Sequence, residues 1–261
     1  MNKIIKFKIN EIEPEKDIVF KENGYSSVKN IPEKIQNLYE ESLNIFRGNS
    51  NPVGIYLEIS KDEFAKIFFG EGNNSDEAPI RQIYPKADNI ALFAITLGKK
   101  VSEKIRELFR KNDFALGHIL DCIASLAADN AVRNLEEFTI RLHSVSVFAA
   151  LRSSPATAGY AQTRHSDKST GQAEKNEEHQ EDLLTLAYSP GYCGWHISGQ
   201  KKLFEYLHPE KIQITLNDSF LMNPLKSVSG VLITGKREIH KFKNSFSFCY
   251  LCKTKSCLER M

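Results

Sequence analysis

The sequence predicts a mixed fold in which β-strands and long helices share one core. Two apolar runs, residues 54–59 (GIYLEI) and 90–97 (IALFAITL), have the length and composition of strands, and the second ends at Gly98. Residues 101–110 and 114–142 place apolar side chains at the three- and four-residue spacing of amphipathic helices. Strands and helices do not alternate as they would in a barrel.

The composition is that of a globular protein that needs no disulfide to form a core. The chain has 261 residues, 41% of them hydrophobic and 26% charged, which disfavours a disordered, collagen-like or membrane class. A net charge of +2 gives no basic footprint for nucleic acid. The apolar run at 90–95 is far shorter than the roughly 20 residues of a membrane span, and residues 1–9 do not resemble an export signal. We therefore expect a cytoplasmic protein without nucleic-acid or membrane partners.

The remaining elements follow from local patterns. Residues 3–9 alternate lysine with apolar residues and predict a strand, residues 31–47 predict a helix with Pro32 in its first turn, and residues 73–79 predict a loop. The run at 90–97 is expected at the centre of the sheet. We divide one structural domain into an N-terminal α/β portion (1–85), a strand with long helices (86–143), a flexible insertion (144–182) and a motif-bearing portion with a cysteine tail (183–261).

The insertion is predicted from its change in composition. Ser, Thr, Ala, Gln, Glu and His dominate residues 144–182, and no sustained apolar period continues through them. Its two histidines, His165 and His179, are better explained as solvated loop residues than as metal ligands.

A glycine-rich segment at residues 188–200 (YSPGYCGWHISGQ) is the first candidate for a binding site. Pro190 and Gly191 predict a turn, and Gly191 and Gly194 would let backbone groups approach a ligand closely. Turns of this composition also serve as plain corners, so spacing alone leaves both interpretations open. The flat side chains beside the turn are Tyr192, Trp195 and His196.

A second segment follows at residues 212–230, which predicts a strand, a polar turn, an irregular stretch and a run of small residues at 227–230. Together, SPGY at 189–192 and LNDSFLMNPLKSVSG at 216–230 resemble the activation domain of cobalamin-dependent methionine synthase. In that family a GY turn precedes a block of the form T-E-S-x-x-M-x-P-x-x-S-V-S-G. The resemblance is strongest over 188–230 and extends more weakly back through 90–142.

The resemblance implies an α+β fold, a C-shaped domain with a twisted antiparallel sheet flanked by helices. Such a domain binds S-adenosylmethionine in a shallow groove and docks over the inert cob(II)alamin of the synthase. One electron, from a donor such as flavodoxin or ferredoxin, and the methyl group of S-adenosylmethionine then restore methylcobalamin. A stand-alone domain would act on a methionine synthase or another corrinoid protein that carries the cobalamin, as a component of that methyltransferase system.

Carried residue by residue, the resemblance implies two sets of ligand contacts and leaves the catalytic residues unknown. The family has an arginine for the ligand carboxylate where this chain has Ala187, and its later tyrosines fall near His240 and Lys241. Arg237 or Lys241 is a candidate replacement for the arginine. The predicted cofactor-binding residues are Ser189, Pro190, Gly191 and Tyr192 in the turn, and Met222, Pro224, Ser227, Ser229 and Gly230 in the facing wall.

Four cysteines form a candidate metal site that the family resemblance does not explain. Cys249, Cys252 and Cys257 have C-x2-C-x4-C spacing, and Cys193 lies inside the glycine-rich segment. Thiolates in this arrangement can bind zinc or an iron–sulfur cluster, which could relay an electron to the corrinoid. A thiol-rich tail without metal is the alternative. Cys122, on the helix at 114–142, is predicted to be a buried core thiol.

Two further functions remain open from sequence alone. The chain could be a noncatalytic module that docks on a corrinoid protein without binding the nucleoside, for which Ala187 is the best support, or an electron-relay accessory that uses the cysteines. The C-x3-C-x2-C order typical of radical S-adenosylmethionine enzymes is absent. No Ser/His/Asp triad pattern, phosphate-binding P-loop, G-x-G-x-x-G turn or H-E-x-x-H helix is present, which disfavours hydrolase, phosphoryl-transfer and nicotinamide chemistry.

Overall fold

The fold is built on one antiparallel sheet. The computed structural model describes residues 2–25, 31–152 and 183–241, with side chains described through residue 143 in the middle range. Five strands occur in the order β1-β2-β3-β7-β4, and a separate two-stranded hairpin precedes β7. The strands are β1 (Lys3–Lys6), β2 (Val53–Ile59), β3 (Asn89–Thr96), β4 (Leu183–Tyr188), β5 (Thr215–Leu216), β6 (Met222–Asn223) and β7 (Ser227–Lys236).

The helices cover both faces of this sheet. They are α1 (Ile9–Ile12), α2 (Lys16–Glu22), α3 (Glu33–Asn49), α4 (Lys61–Phe69), α5 (Ile80–Ile83), α6 (Lys99–Arg110), α7 (Phe114–Arg152) and α8 (Gly199–Leu207). Short 3-10 turns occur at Tyr84–Lys86, Pro209–Ile212 and Arg237–His240. None of the described helices combines the length and apolar character that crossing a membrane requires.

Two apolar clusters lie on opposite faces of the sheet. Helices α3, α6 and α7 pack on the face that presents Phe93 of β3 and Leu232 of β7, while α4 and α8 pack on the face that presents Leu92 and Val231. We call these the α7 face and the α8 face. Because both faces of β3 are covered, its sequence is a continuous apolar run, as in other strands buried on two sides. The expected α+β class and the central position of β3 are confirmed.

Several predicted boundaries are wrong. The strand expected at 3–9 ends at Lys6, and the chain turns into α1 after the Phe7 N–H bonds to the Pro52 carbonyl at 3.3 Å. The helix expected at 31–47 begins at Glu33, with Pro32 preceding it. The short helices α4 and α5 were not predicted.

The helix α7 is longer than its apolar pattern indicated. It continues through Arg152, nine residues into the segment 144–182 that we expected to be a flexible insertion. The rest of that segment, with His165 and His179, lies outside the described residues. The run of small residues at 227–230 is not a separate segment: it forms the first four residues of the ten-residue strand β7.

Candidate functional site

The two sequence motifs meet where β4 ends. Tyr188 is the last residue of β4 and pairs with Val231, so Ser189 follows directly beside Gly230. A Cβ atom at Gly230 would overlap the Tyr188 carbonyl oxygen and lie 3.0 Å from Ser189 Oγ. Gly230 therefore permits the close approach of the chain that begins the SPGY turn (residues 189–192). This contact places the turn beside the wall segment (residues 222–230).

The SPGY turn is closed by its own backbone. The Gly191 N–H donates to the Trp195 carbonyl at 2.7 Å, and the Trp195 N–H donates to the Tyr192 carbonyl at 2.9 Å. Gly191 has a φ of 94°, a left-handed conformation that favours glycine. Pro190 is buried whereas Tyr192 is half-exposed, with 51% of its surface accessible, so the tip of the turn faces solvent.

The loop predicted at 73–79 holds the other end of the glycine-rich segment. The Ser75 N–H donates to the Gly194 carbonyl, and the His196 N–H donates to Asn74 Oδ1, both at 2.9 Å. A Cβ atom at Gly194 would lie 3.0 Å from the Cβ atoms of Ser75 and Ala78. The close packing at Gly194 therefore excludes a side chain and fixes the segment to the N-terminal part of the domain.

Trp195 anchors the segment in the apolar cluster on the α8 face. Its side chain is 1% exposed and makes an edge-to-face contact with Phe64 at 5.7 Å between ring centroids, with Phe68 at 6.0 Å. The indole N–H has no hydrogen-bond partner among the described residues and lies against Gly199, where a Cβ atom would overlap it. Because Ser189 lies on the α7 face, the segment passes around the sheet edge from one face to the other.

A buried hydrogen bond joins α8 to the wall segment. Ser229 Oγ donates to Gln200 Oε1 at 2.6 Å, and both residues are buried, at 1% and 4% exposure. Gln200 comes directly after the helix α8 begins at Gly199, so this bond fixes the end of the glycine-rich segment relative to β7. The wall segment is thus connected to the glycine-rich segment (188–200) twice, at Gly230 on one face and at Ser229 on the other.

We predict that Ser229→Ala lowers the free energy of unfolding by about 1–3 kcal/mol, because the buried Gln200 carbonyl loses its donor. Ser219→Ala, in the exposed turn before β6, is the matched control and should change stability by less than about 0.5 kcal/mol. Urea denaturation measures both. Equal unfolding midpoints for the two variants would show that the Ser229 bond contributes no stability.

The earlier part of the wall lies on the hairpin. Met222 is half-buried and packs against the cluster on the α8 face, whereas Gly230 belongs to the α7 face. Pro224 is buried, and its carbonyl accepts a hydrogen bond from Ser227 Oγ at 2.7 Å; the same hydroxyl lies 2.9 Å from Thr96 Oγ1. Of the predicted wall residues, Ser229 and Gly230 lie beside the glycine-rich segment, and Pro224 and Ser227 support the start of β7.

The carboxylate of Glu136 binds the backbone at Ala187, the position at which the family has its arginine. The sequence analysis did not identify Glu136 as part of the site. Glu136 of α7 accepts a hydrogen bond from the Ala187 N–H at 2.6 Å, two residues before the SPGY turn. The Ala187 side chain itself packs on the α7 face. The polar residues that recur along the otherwise apolar α7 could have indicated a helix face directed toward a site, but the partner strand is distant in sequence.

Closer to the start of α7, two side chains contact Lys226, the residue before Ser227. Lys226 Nζ lies 2.8 Å from Asp121 Oδ1 and 2.8 Å from Ser125 Oγ, and its side chain is only 11% exposed. Asp129, one turn farther along α7, keeps its residue surface exposed, yet desolvation by neighbouring atoms raises the pKa of its carboxyl group. The positive charges of Arg133 and Lys226 act in the opposite direction on that pKa.

Arg237 and Lys241 are the two candidate replacements for the family's arginine, and they follow the end of β7 that pairs with the start of β4. Both follow the far end of β7, where Lys236 pairs with Leu183, whereas the SPGY turn lies beyond the Tyr188 end of β4. Seven residues of extended strand separate Gly230 from Arg237, roughly 23 Å. His240 is buried there instead, with Nδ1 2.9 Å from the Tyr188 hydroxyl.

The candidate metal site falls mostly outside the described residues. Cys193 is half-buried, has a φ of 50° and forms no disulfide with a described residue. Cys249, Cys252 and Cys257 lie beyond the part of the chain that the structure describes. Within residues 2–25, 31–143 and 183–241, no three potential metal ligands cluster together. Cys122 is half-buried against the core rather than fully buried, and desolvation raises the pKa of its thiol.

Two shallow depressions of about 400 and 410 Å³ lie away from the motifs. One is on α3, lined by residues such as Glu33 and Asn37, and the other lies between β1 and α7, beside Phe7 and Phe138. Neither contains a residue of the SPGY turn or the wall segment.

Comparison with known proteins gives two matches of different kinds. Residues 80–244 match the family model described as vitamin B12 dependent methionine synthase, activation domain. The crystal structure of the MetH reactivation domain bound to AdoHcy has a similar fold, with a TM-score of 0.54 and 14% sequence identity over 89% of this chain and 78% of that chain. Comparison with curated proteins finds no match. The region matched by the family model includes both motifs and the described side chains of α7.

Proposed function

Because this chain belongs to the family of vitamin B12-dependent methionine synthase activation domains, we propose that it binds S-adenosylmethionine at the junction of its two motifs. The bound ligand would serve the reductive methylation of cob(II)alamin on a methionine synthase or another corrinoid protein. The observation that carries the proposal is the contact between Ser189 and Gly230, where a missing side chain lets the two motifs meet. The similar MetH domain contains AdoHcy, the demethylated form of the same ligand.

The proposed reaction needs a methyl group from the ligand, a cobalamin on the partner protein and a nucleoside-binding site on this chain. S-adenosylmethionine supplies a methyl group and leaves as S-adenosylhomocysteine, while a donor such as flavodoxin or ferredoxin supplies one electron to the partner's cobalamin. The role of this chain is to hold the nucleoside in place. In this proposal, backbone groups of the SPGY turn contact the ligand and the backbone at Ser229 and Gly230 forms the facing wall. The carboxylate of Glu136 attracts the ammonium group of the ligand's amino-acid end.

Exposed apolar side chains near the motifs fit the docking of a partner. Tyr192 of the SPGY turn is 51% exposed, and Leu221 and Leu225 of the wall segment and its border are 54% and 60% exposed. Large exposed apolar side chains that occur together are typical of surfaces that bind other proteins. We propose that these three contact the corrinoid protein.

Isothermal titration calorimetry tests the proposed ligand. We expect saturable heat when S-adenosylmethionine or S-adenosylhomocysteine is added to the purified protein, and no heat with adenosine 5′-monophosphate, whose phosphate replaces the amino-acid end. Absence of binding, both alone and with a cobalamin-loaded methionine synthase fragment, would contradict the proposal. Retention of that fragment in a pull-down without any ligand effect would instead favour the noncatalytic docking module, which the alanine at position 187 supports.

The cysteines carry a second, separate proposal: that Cys193, Cys249, Cys252 and Cys257 bind iron or zinc. The spacing of the three tail cysteines supports it, and a metal at Cys193 would lie one residue from the SPGY turn. We predict about one zinc or one cluster per chain in anaerobically purified protein, measured by elemental analysis, and its loss when Cys252 and Cys257 are changed to serine. Metal-free wild-type protein would contradict this.

A further inference from the structure

The helix α7 presents one polar face along the edge of β7. Ser125, Asp129, Arg133 and Glu136 recur at intervals of three and four residues, which places them on the same side of a helix. Two contacts fix the ends of this face: Ser125 bonds to Lys226 just before β7, and Glu136 bonds to Ala187 near the end of β4. With a rise of 1.5 Å per residue, the face between these contacts is about 16 Å long.

The sheet edge beside this face is open. The pairing of β4 with β7 ends at Tyr188 and Val231, so within the described residues the first part of β7 has no strand neighbour on this side. Ser189 begins the SPGY turn at the upper end of that open edge, beside Gly230. The polar face of α7, the open edge of β7 and the turn therefore border one shallow groove.

Arg133 is the cation of this polar face, and its charge opposes the desolvation that raises the pKa of the neighbouring Asp129 carboxyl group. It is exposed, and its guanidinium makes no ion pair or hydrogen bond with the described residues. By contrast, Arg141 on the same helix lies 3.7 Å from Glu137, and Lys226 is bound to Asp121. Arg133 lies between two carboxylates on the helix, those of Asp129 and Glu136. The groove thus has the positive charge of Arg133 between the negative charges of Asp129 and Glu136.

We infer that Arg133 binds the carboxylate of the amino-acid end of S-adenosylmethionine, while the adjacent carboxylates attract its ammonium group. The inference rests on the proposed function and names the residue that recognises the zwitterion. A guanidinium can donate two parallel hydrogen bonds to a carboxylate, and such charge-assisted pairs are among the stronger ones in proteins.

Two ligands that differ only in the carboxylate test this role. Calorimetry compares S-adenosylmethionine with its decarboxylated analogue on the wild-type chain, Arg133→Met and the matched control Arg141→Met. Wild type and the control should prefer S-adenosylmethionine by roughly tenfold to a hundredfold, the usual effect of a hydrogen bond to a charged group. Arg133→Met should lose this preference and bind the analogue as wild type does, and Arg133→Lys should restore part of it.

The outcomes separate the inference from the proposed function. If the wild-type chain binds S-adenosylmethionine and Arg133→Met keeps the full preference over the decarboxylated analogue, the role of Arg133 is overturned and the proposed ligand stands. If the wild-type chain binds neither compound, the proposed function itself fails. Unchanged affinity for the decarboxylated analogue in Arg133→Met shows that the variant retains a folded groove.

Discussion

Replacement of Gly230 by alanine is expected to abolish ligand binding and to lower the free energy of unfolding by about 3 kcal/mol, the upper end of the usual cost of overpacking. The new Cβ atom would overlap the Tyr188 carbonyl, which is a backbone atom in a paired strand and cannot rotate away. Either β4 separates from β7 or the first residue of the SPGY turn moves out of place. Calorimetry with S-adenosylmethionine and urea denaturation measure the two effects.

Gly48→Ala is the matched control for that substitution. Gly48 lies near the end of α3, and a Cβ atom there would have no neighbour within 4 Å. Alanine at such a helical position should raise stability by about 0.4–1 kcal/mol and leave ligand affinity unchanged. A Gly230→Ala protein with the stability and affinity of wild type would show that the two motifs do not depend on their close approach.

Trp195→Ala should remove about 3–5 kcal/mol of stability, since it deletes the largest fully buried side chain. The lost contacts include the aromatic rings of Phe64 and Phe68. Ligand affinity should also fall, because the backbone of Trp195 closes the SPGY turn through Gly191. Denaturation and calorimetry on the same preparation separate a loss of fold from a loss of the turn.

Two further variants test whether the loss of stability comes from the buried position of the Trp195 ring. Trp195→Phe keeps an aromatic ring in the cluster and, because the indole N–H has no partner among the described residues, should lose less than half as much stability as the alanine variant. Phe69→Ala removes a ring that is 56% exposed on the neighbouring helix α4 and should cost about 1 kcal/mol or less. A similar loss for Phe69→Ala and Trp195→Ala would contradict the anchoring role.

The strand β3, which is buried on both faces, could be predicted from its sequence, whereas β7, which contains part of the candidate site, could not. β3 is apolar along its whole length, so its length and its boundary at Gly98 were sufficient to identify it. β7 begins with Ser227, Ser229 and Gly230, which are small because they bond to other segments or allow close approach. The residues that make the site thus interrupt the pattern by which strands are recognised.

Two other failures had different causes. The helix α4 carried a readable signal, since Ser60 and Glu63 form a capping box and Phe64 and Phe68 recur at helical spacing, but it was overlooked between two strands. Glu136 could not be found from local pattern, because its contact with Ala187 joins residues that are 51 positions apart in the sequence. Motif resemblance located the turn and the wall, whereas the third side of the groove required the tertiary structure.

The position of β7 between β3 and the edge strand β4 determines when the sheet can be completed. Ser227 and Thr96 are in contact although 131 residues separate them, and β7 also provides the strand pairing of β4. Contacts between such distant segments form slowly, because a long loop must close before they are made. During synthesis on the ribosome, the sheet is therefore completed only after Lys236 has been added, and the SPGY turn acquires its shape in that same late step.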